Sequence, residues 1–202
     1  MSRREPFYDR RLGEALRFAA DAFAHKERKG TGTPYMTHLL AVTTTVMEHG
    51  GSAEQCIAAA LHDYLEDIEG SSAGELETRF GPEVTRLVLA LSDSTRPGHK
   101  EPWKERKLRY LAHLREAGED VKLVSAADKL HNASSIVKDR ARMGDAIFER
   151  FTPSKDETLW YYREVIEALS HGWDHALLDE LRREVHRLHE ESAQERGRSR
   201  SS

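Results

Sequence analysis

A run of helix-forming apolar residues that carries a dense acidic cluster constrains this chain more than any other stretch. Ile57-Ala58-Ala59-Ala60-Leu61 leads directly into His62-Asp63-Tyr64-Leu65-Glu66-Asp67, and no Gly or Pro intervenes before Gly70. Such a composition predicts a continuous helix. At about 100° per residue, His62, Asp63, Glu66 and Asp67 then share an arc of roughly 140°. Beside Ala59, Leu61, Leu65 and Ile68, three carboxylates on one face persist only if they are solvated, neutralised by a cation, or protonated. A solvated acidic face is the plain reading. The position of the cluster, in one of the most apolar parts of the chain, turns attention to ligands elsewhere.

Helical periodicity recurs along the chain. It predicts helices from about Asp9 to Arg28, Tyr35 to His49, Ala73 to Phe80, Val84 onward, Trp103 to Glu116, Asp120 to Lys138, Leu159 to Leu169 and Trp173 to His189. Ser52 is a candidate N-cap for the acidic helix, with Glu54 and Gln55 in its first turn. Gly30 to Pro34 stops the first helix, and Ser92 to Pro102 reads as an exposed loop. No strand-like alternation of useful length occurs, so the fold class is all-α. Residues 1–189 form the expected domain, and the polar segment 190–202 is expected to be a disordered tail.

Composition narrows the function classes. The formal net charge of −4 leaves no global basic field to draw in nucleic acid, so a phosphate-bearing ligand needs local Lys and Arg or a metal. A single Cys56 excludes an intramolecular disulfide and fits a reducing compartment. With no apolar signal-like N-terminus and no membrane-length apolar window, a cytoplasmic enzyme or binding domain without a membrane partner is the expectation. Oligomeric state is left open.

Two further polar residues stand in apolar helical surroundings. His38 lies beside the stripe Leu39, Val42, Val46, and Asp128 sits in the middle of the nearly all-apolar 120–138 helix. Lys129 is expected to point away from Asp128, whereas Asn132 shares its face. The cations Lys104, Arg106, Lys107 and Arg109 are expected to be solvated. His38, His62, Asp63 and Asp128 make a mixed nitrogen and oxygen set suited to Mn²⁺, Fe²⁺ or Zn²⁺. The structural alternatives, a hydrogen-bonded core His and an Asp paired with Arg or a helix end, remain open on spacing alone. So does the reading of Lys26, Arg28 and Lys29 as ordinary helix C-terminal cations rather than a phosphate clamp.

Taken together, Gly32-Thr33-Pro34-Tyr35-Met36-Thr37-His38, Ala59 to Asp67, Phe80-Gly81-Pro82-Glu83-Val84, Val121-Lys122-Leu123 and Ala127-Asp128-Lys129-Leu130-His131-Asn132 resemble the HD-domain metal-dependent phosphohydrolases. More closely, they resemble the alarmone hydrolase domain of RelA/SpoT-type proteins and their small stand-alone relatives. The resemblance implies an HD-domain helical bundle and a Mn²⁺ enzyme, other divalent transition metals being possible, that removes pyrophosphate from the 3′ position of guanosine tetra- or pentaphosphate. It implies metal ligation by His38, His62, Asp63 and Asp128, and handling of the attacking water by Glu66 and Asp67. Substrate contacts fall to Arg28, Lys29 and Asn132. A phosphohydrolase acting on another nucleotide and a non-catalytic nucleotide sensor are the alternatives.

Overall fold

A computed structural model describes residue 8 and residues 10–94 and 101–199, with side chains described through residue 190. Most of the expected 92–102 loop therefore lies outside the described residues. In order, the helices are α1 (Arg10–Ala22), α2 (Met36–Glu48), α3 (Ala53–Leu61), α4 (Tyr64–Asp67), α5 (Ala73–Phe80), α6 (Pro82–Leu91), α7 (Trp103–Glu116), α8 (Glu119–Met143), α9 (Lys155–Ser170) and α10 (Ala176–Ser199). A 3-10 segment, Gly144–Arg150, joins α8 to α9. The only strand-like pairing among the described residues is an isolated bridge between Glu27 and Pro34. The all-α expectation holds.

Helix α3 is the buried axis. Cys56 through Leu61 have no solvent exposure, and α3 packs against α1, α2, α6 and α8. Three consecutive alanines let those neighbours approach closely from several sides. Ser52 starts the helix with a full capping box: its hydroxyl accepts from the Gln55 amide, and the Gln55 side chain accepts from the Ser52 amide. The 25-residue α8 crosses the same core and also meets α2, α6, α9 and α10. Its all-round apolar character is what a helix with neighbours on most sides requires.

Several expectations differ from the structure. The acidic helix is not continuous: α3 ends at Leu61, Asp63 adopts φ −92°, ψ 0°, and a new turn begins at Tyr64. That is the sparsely allowed bridge region, where active-site residues recur. The first helix stops at Ala22, so Lys26 to Lys29 lie in an irregular loop rather than at a helix end. The loop is closed by Arg28 N–H to Thr33 O at 2.7 Å and Tyr35 N–H to Lys26 O at 2.8 Å. Arg106 and Lys107 are not solvated, because both turn inward onto the buried Asp93 carboxylate. Finally, α8 runs five residues beyond Lys138, and the 3-10 segment after it carried no periodic signal. Helix α10 continues to Ser199, entering the segment from 190 that was assigned to the tail.

Candidate metal centre and substrate cleft

Three elements converge on one point. His38 comes from the first turn of α2, His62 and Asp63 from the break after α3, and Asp128 from the middle of α8. His38 Nε2 lies 3.2 Å from His62 Nε2, 3.4 Å from Asp63 Oδ2 and 3.3 Å from Asp128 Oδ1. His62 Nε2 lies 3.1 Å from Asp63 Oδ2 and 3.7 Å from Asp128 Oδ1. His38, His62 and Asp128 are all buried, and one ligand atom from each falls within 4.8 Å of the others, as a metal-holding group requires.

The break after α3 also sets the His62 tautomer. With the helix interrupted, the Ala59 carbonyl is free to accept, and His62 Nδ1–H donates to it at 2.8 Å. The lone pair is thereby left on Nε2, facing the cluster. His38 Nδ1 lies 2.8 Å from His131 Nδ1. Burial first, and then the neighbouring His38 and Arg28, lower His131 to about 4, so it stays neutral and can accept this proton. Both ligand candidates therefore present Nε2, the arrangement that outer hydrogen bonds impose in metal sites.

Without a metal, burial and neighbouring charge oppose each other at His62, Asp63 and Asp128. Burial works against charge on His62, but Asp63 and Asp128 outweigh it and hold the imidazole well above its ordinary value. Burial likewise opposes ionisation of Asp63 and Asp128, and the facing imidazoles and Lys129 outweigh it, keeping both far below the usual carboxylate range. Positive charge is required at this point, and a proton supplies it in the metal-free protein. His38, His62 and Asp128 form a group that could hold a metal ion, with Asp63 beside both imidazoles.

Tyr35 donates its hydroxyl to Asp63 Oδ2 at 2.7 Å. Lys129 ion-pairs with Asp128 Oδ2, contrary to the expectation that it points elsewhere: its long stem reaches across the 100° between adjacent residues. Asn132 Nδ2 donates to Asp128 Oδ1 at 2.5 Å, while its Oδ1 accepts from Arg28 Nη2 at 2.8 Å. Arg28 and the metal ligands are thus linked through Asn132. Glu66 and Asp67, adjacent in sequence, occupy different surroundings. Glu66 Oε1 accepts from the Asp93 amide at 2.6 Å, and burial, then the Asp93 and Asp63 charges, push Glu66 up to about 7. Asp67 is instead held by Lys26, 3.2 Å from its Oδ2.

A cleft of about 880 Å³ opens beside the cluster. Lys26, Arg28, Lys29, Lys138, Arg142 and Arg150 line it against Glu27, Asp67 and Asp139, so a chain of net negative charge concentrates positive charge here. Tyr35, Ile136, Ile147, Phe151 and Tyr162 supply apolar wall. The structure brings Asn132, Arg28, Lys29 and Asp67 to this cleft, next to the four-donor cluster. Sequence reasoning missed Tyr35, Lys129, His131 and Tyr162. Tyr35 and His131 lay within the stretches quoted above, three residues from His38 and from Asp128, the spacing that places helical side chains together.

The HD domain family model matches residues 15–153. A guanosine-3′,5′-bis(diphosphate) 3′-pyrophosphohydrolase of Aquifex aeolicus is 32% identical over 133 residues, covering 65% of this chain and 18% of that protein. The bifunctional (p)ppGpp synthase/hydrolase SpoT of Escherichia coli is 28% identical over 129 residues, covering 63% and 18% respectively. The chain thus spans about a fifth of the length of these relatives. Among solved structures, a metazoan ortholog of SpoT described as hydrolysing ppGpp superposes with a TM-score of 0.69. It covers 93% of this chain and 96% of that one at 24% identity, a likeness of fold. A Listeria monocytogenes structure superposes with a TM-score of 0.64 at 26% identity over 73% of this chain and 96% of that one.

Proposed function

The chain belongs to the HD domain family, and from that premise we propose that it is a Mn²⁺-dependent pyrophosphohydrolase that removes the 3′-diphosphate of guanosine 3′,5′-bis(diphosphate). One observation carries the reading: two imidazole nitrogens 3.2 Å apart, each 3.1–3.7 Å from an oxygen of Asp63 and of Asp128, beside a buried carboxylate with affinity for a proton near pH 7. The activities for which the Aquifex and Escherichia relatives are named supply the substrate.

His38, His62, Asp63 and Asp128 hold the metal in this reading. A divalent cation there supplies Lewis acidity, strengthening the acidity of a water molecule and screening phosphate oxygens. Glu66 accepts the proton from the attacking water, which a carboxylate tuned near neutral pH does well. Asp67, pinned by Lys26, helps to orient that water. Arg28 and Lys29 take the phosphates, and Asn132 keeps Arg28 in register with Asp128. Cleavage at phosphorus rests on positioning and charge neutralisation rather than a covalent nucleophile. No Cys or Ser nucleophile is needed.

The test is anion-exchange analysis of guanosine tetraphosphate incubated with the protein and Mn²⁺, with Asp63→Ala as control. GDP and pyrophosphate from the parent alone support the reading; intact substrate with metal bound overturns the choice of substrate.

A further inference from the structure

Tyr35 stands between the four-donor cluster and the loop that carries Lys26, Arg28 and Lys29. Its hydroxyl donates to Asp63 Oδ2, the same oxygen that lies 3.4 Å from His38 Nε2 and 3.1 Å from His62 Nε2. Its ring stacks on the buried Phe23, with centroids 5.2 Å apart and planes 12° from parallel, and meets the His38 ring edge-on at 5.6 Å. Lys26 Nζ and the Arg28 guanidinium lie over the same ring, 5.4 Å and 5.7 Å from its centroid. The Tyr35 amide also closes the loop, donating to the Lys26 carbonyl.

Asp63 needs such a support. It follows the break after α3, and its side chain makes no capping bond to the turn that begins at Tyr64. Rotation of a carboxylate about χ2 is soft, so the backbone alone does not fix which oxygen faces the imidazoles. The Tyr35 bond does, because a phenol held flat against Phe23 cannot follow the carboxylate as it turns. The loop cations have a related need. Lys26 reaches across to Asp67, and Arg28 reaches across to Asn132. An aromatic face beneath two long side chains attracts both charges and limits how far they swing.

We infer that Tyr35 is a positioning residue with two separable roles: its hydroxyl fixes the Asp63 carboxylate for metal binding, and its ring holds Lys26 and Arg28 in place for phosphate. This rests on the reading of the metal centre given above, and it adds the side chain that ties that centre to the anion-binding loop. A hydroxyl that only satisfied its own hydrogen bond would add to stability and leave metal affinity alone. The two roles therefore come apart when the hydroxyl and the ring are removed separately.

The test is calorimetric titration of Mn²⁺, and separately of pyrophosphate, into metal-free parent, Tyr35→Phe and Tyr35→Leu, with Tyr35→Met replacing the Leu variant if that one lacks a cooperative melt. Tyr64→Phe removes another hydroxyl that donates to a carboxylate at 2.7 Å, on Glu75, and serves as control. Tyr35→Phe is expected to lose about tenfold or more of Mn²⁺ affinity, the usual cost of losing an outer partner of a metal donor, while Tyr64→Phe loses none. Pyrophosphate affinity should hold in Tyr35→Phe, which keeps the ring, and fall about fivefold in the variant without it. Parental Mn²⁺ affinity in Tyr35→Phe overturns the role of the hydroxyl. Parental pyrophosphate affinity without the ring, or no pyrophosphate binding by the parent, overturns the role of the ring. A parent that binds no Mn²⁺ removes the metal reading itself and the hydroxyl's role with it, and the pyrophosphate comparison then decides the ring alone.

Discussion

The backbone amide of Asp93 donates to Glu66 Oε1 at 2.6 Å, while the Asp93 side chain is clamped by Arg106 and Lys107. The residue that holds Glu66 in place thus also presents a buried negative charge to it. The amide and Lys107 favour an ionised Glu66, but burial and the Asp93 and Asp63 charges outweigh them. The outcome is a carboxyl group that keeps its proton to about pH 7. Such a group is poor for stability and well suited to accepting a proton from water.

Glu66→Gln is expected to retain metal and lose about 100-fold or more of turnover, the usual worth of a positioned general base. The parent rate should rise with pH through a midpoint at or below about 7, because a bound cation draws the raised Glu66 value back down, and the variant should lack that limb. The stability of the metal-free protein moves the other way. Glu66 binds its proton more tightly folded than unfolded, so its contribution is present below the unfolded value of about 4.3 and is lost as pH rises to about 7. Thermal melts at pH 8 should therefore favour the Gln variant, with the difference gone at pH 4.5. Normal turnover in the variant would remove Glu66 from the mechanism.

Asp128→Asn preserves shape but removes one anionic donor and leaves Lys129 buried without its counter-charge. Metal content, read by elemental analysis after gel filtration, should fall well below stoichiometric, and activity should fall with it. The metal-free variant should also melt below the metal-free parent, because an uncompensated buried ammonium costs several kcal/mol at most sites. A variant that keeps full metal content places Asp128 outside the ligand set.

The elements that carry this chemistry were legible in the sequence where pattern and chemistry coincided. Ala58 to Leu61 announced a buried helix, and an Asp in the apolar run of α8 announced a partnered charge. The break at Asp63 was not legible, because local propensity favours helix throughout 57–67. Tertiary pulls decide there, from the Tyr35 hydroxyl and from the imidazoles that face the Asp63 carboxylate. Lys107 and Lys129 were misplaced for a related reason. Periodicity reports where a Cα points, whereas long side chains reach buried carboxylates beyond that direction. Arg150 reaches the cleft from the 3-10 segment, which has no period to detect.

His131 touches none of the reacting groups, and its effect is expected to run through His38. His131→Ala removes the acceptor that sets the His38 tautomer, so Mn²⁺ affinity should drop about 10- to 100-fold, the usual cost of losing such an outer partner. Saturating Mn²⁺ should restore much of the turnover, whereas it should not rescue Glu66→Gln. Unchanged affinity by isothermal titration would show that His38 is held in place by packing alone.

Metal and protons should compete at the four-donor cluster. In the metal-free protein the His62 value is raised, so its stabilising charge is fully present below the unfolded imidazole value of about 6.5 and is lost as pH rises through the folded one. Asp63 and Asp128 are depressed, so their contribution is present above about 3.9 and lost as pH falls through the folded values. The metal-free melting temperature should accordingly decline on the alkaline side, where Asp63 and Asp128 both face a neutral His62. Mn²⁺ replaces the lost proton, so the increment it gives in Tm should grow with pH. Titrating Mn²⁺ into metal-free protein in two buffers of different ionisation enthalpy should show net proton release below the folded His62 value. An increment independent of pH, with no proton released, would place the metal away from His62.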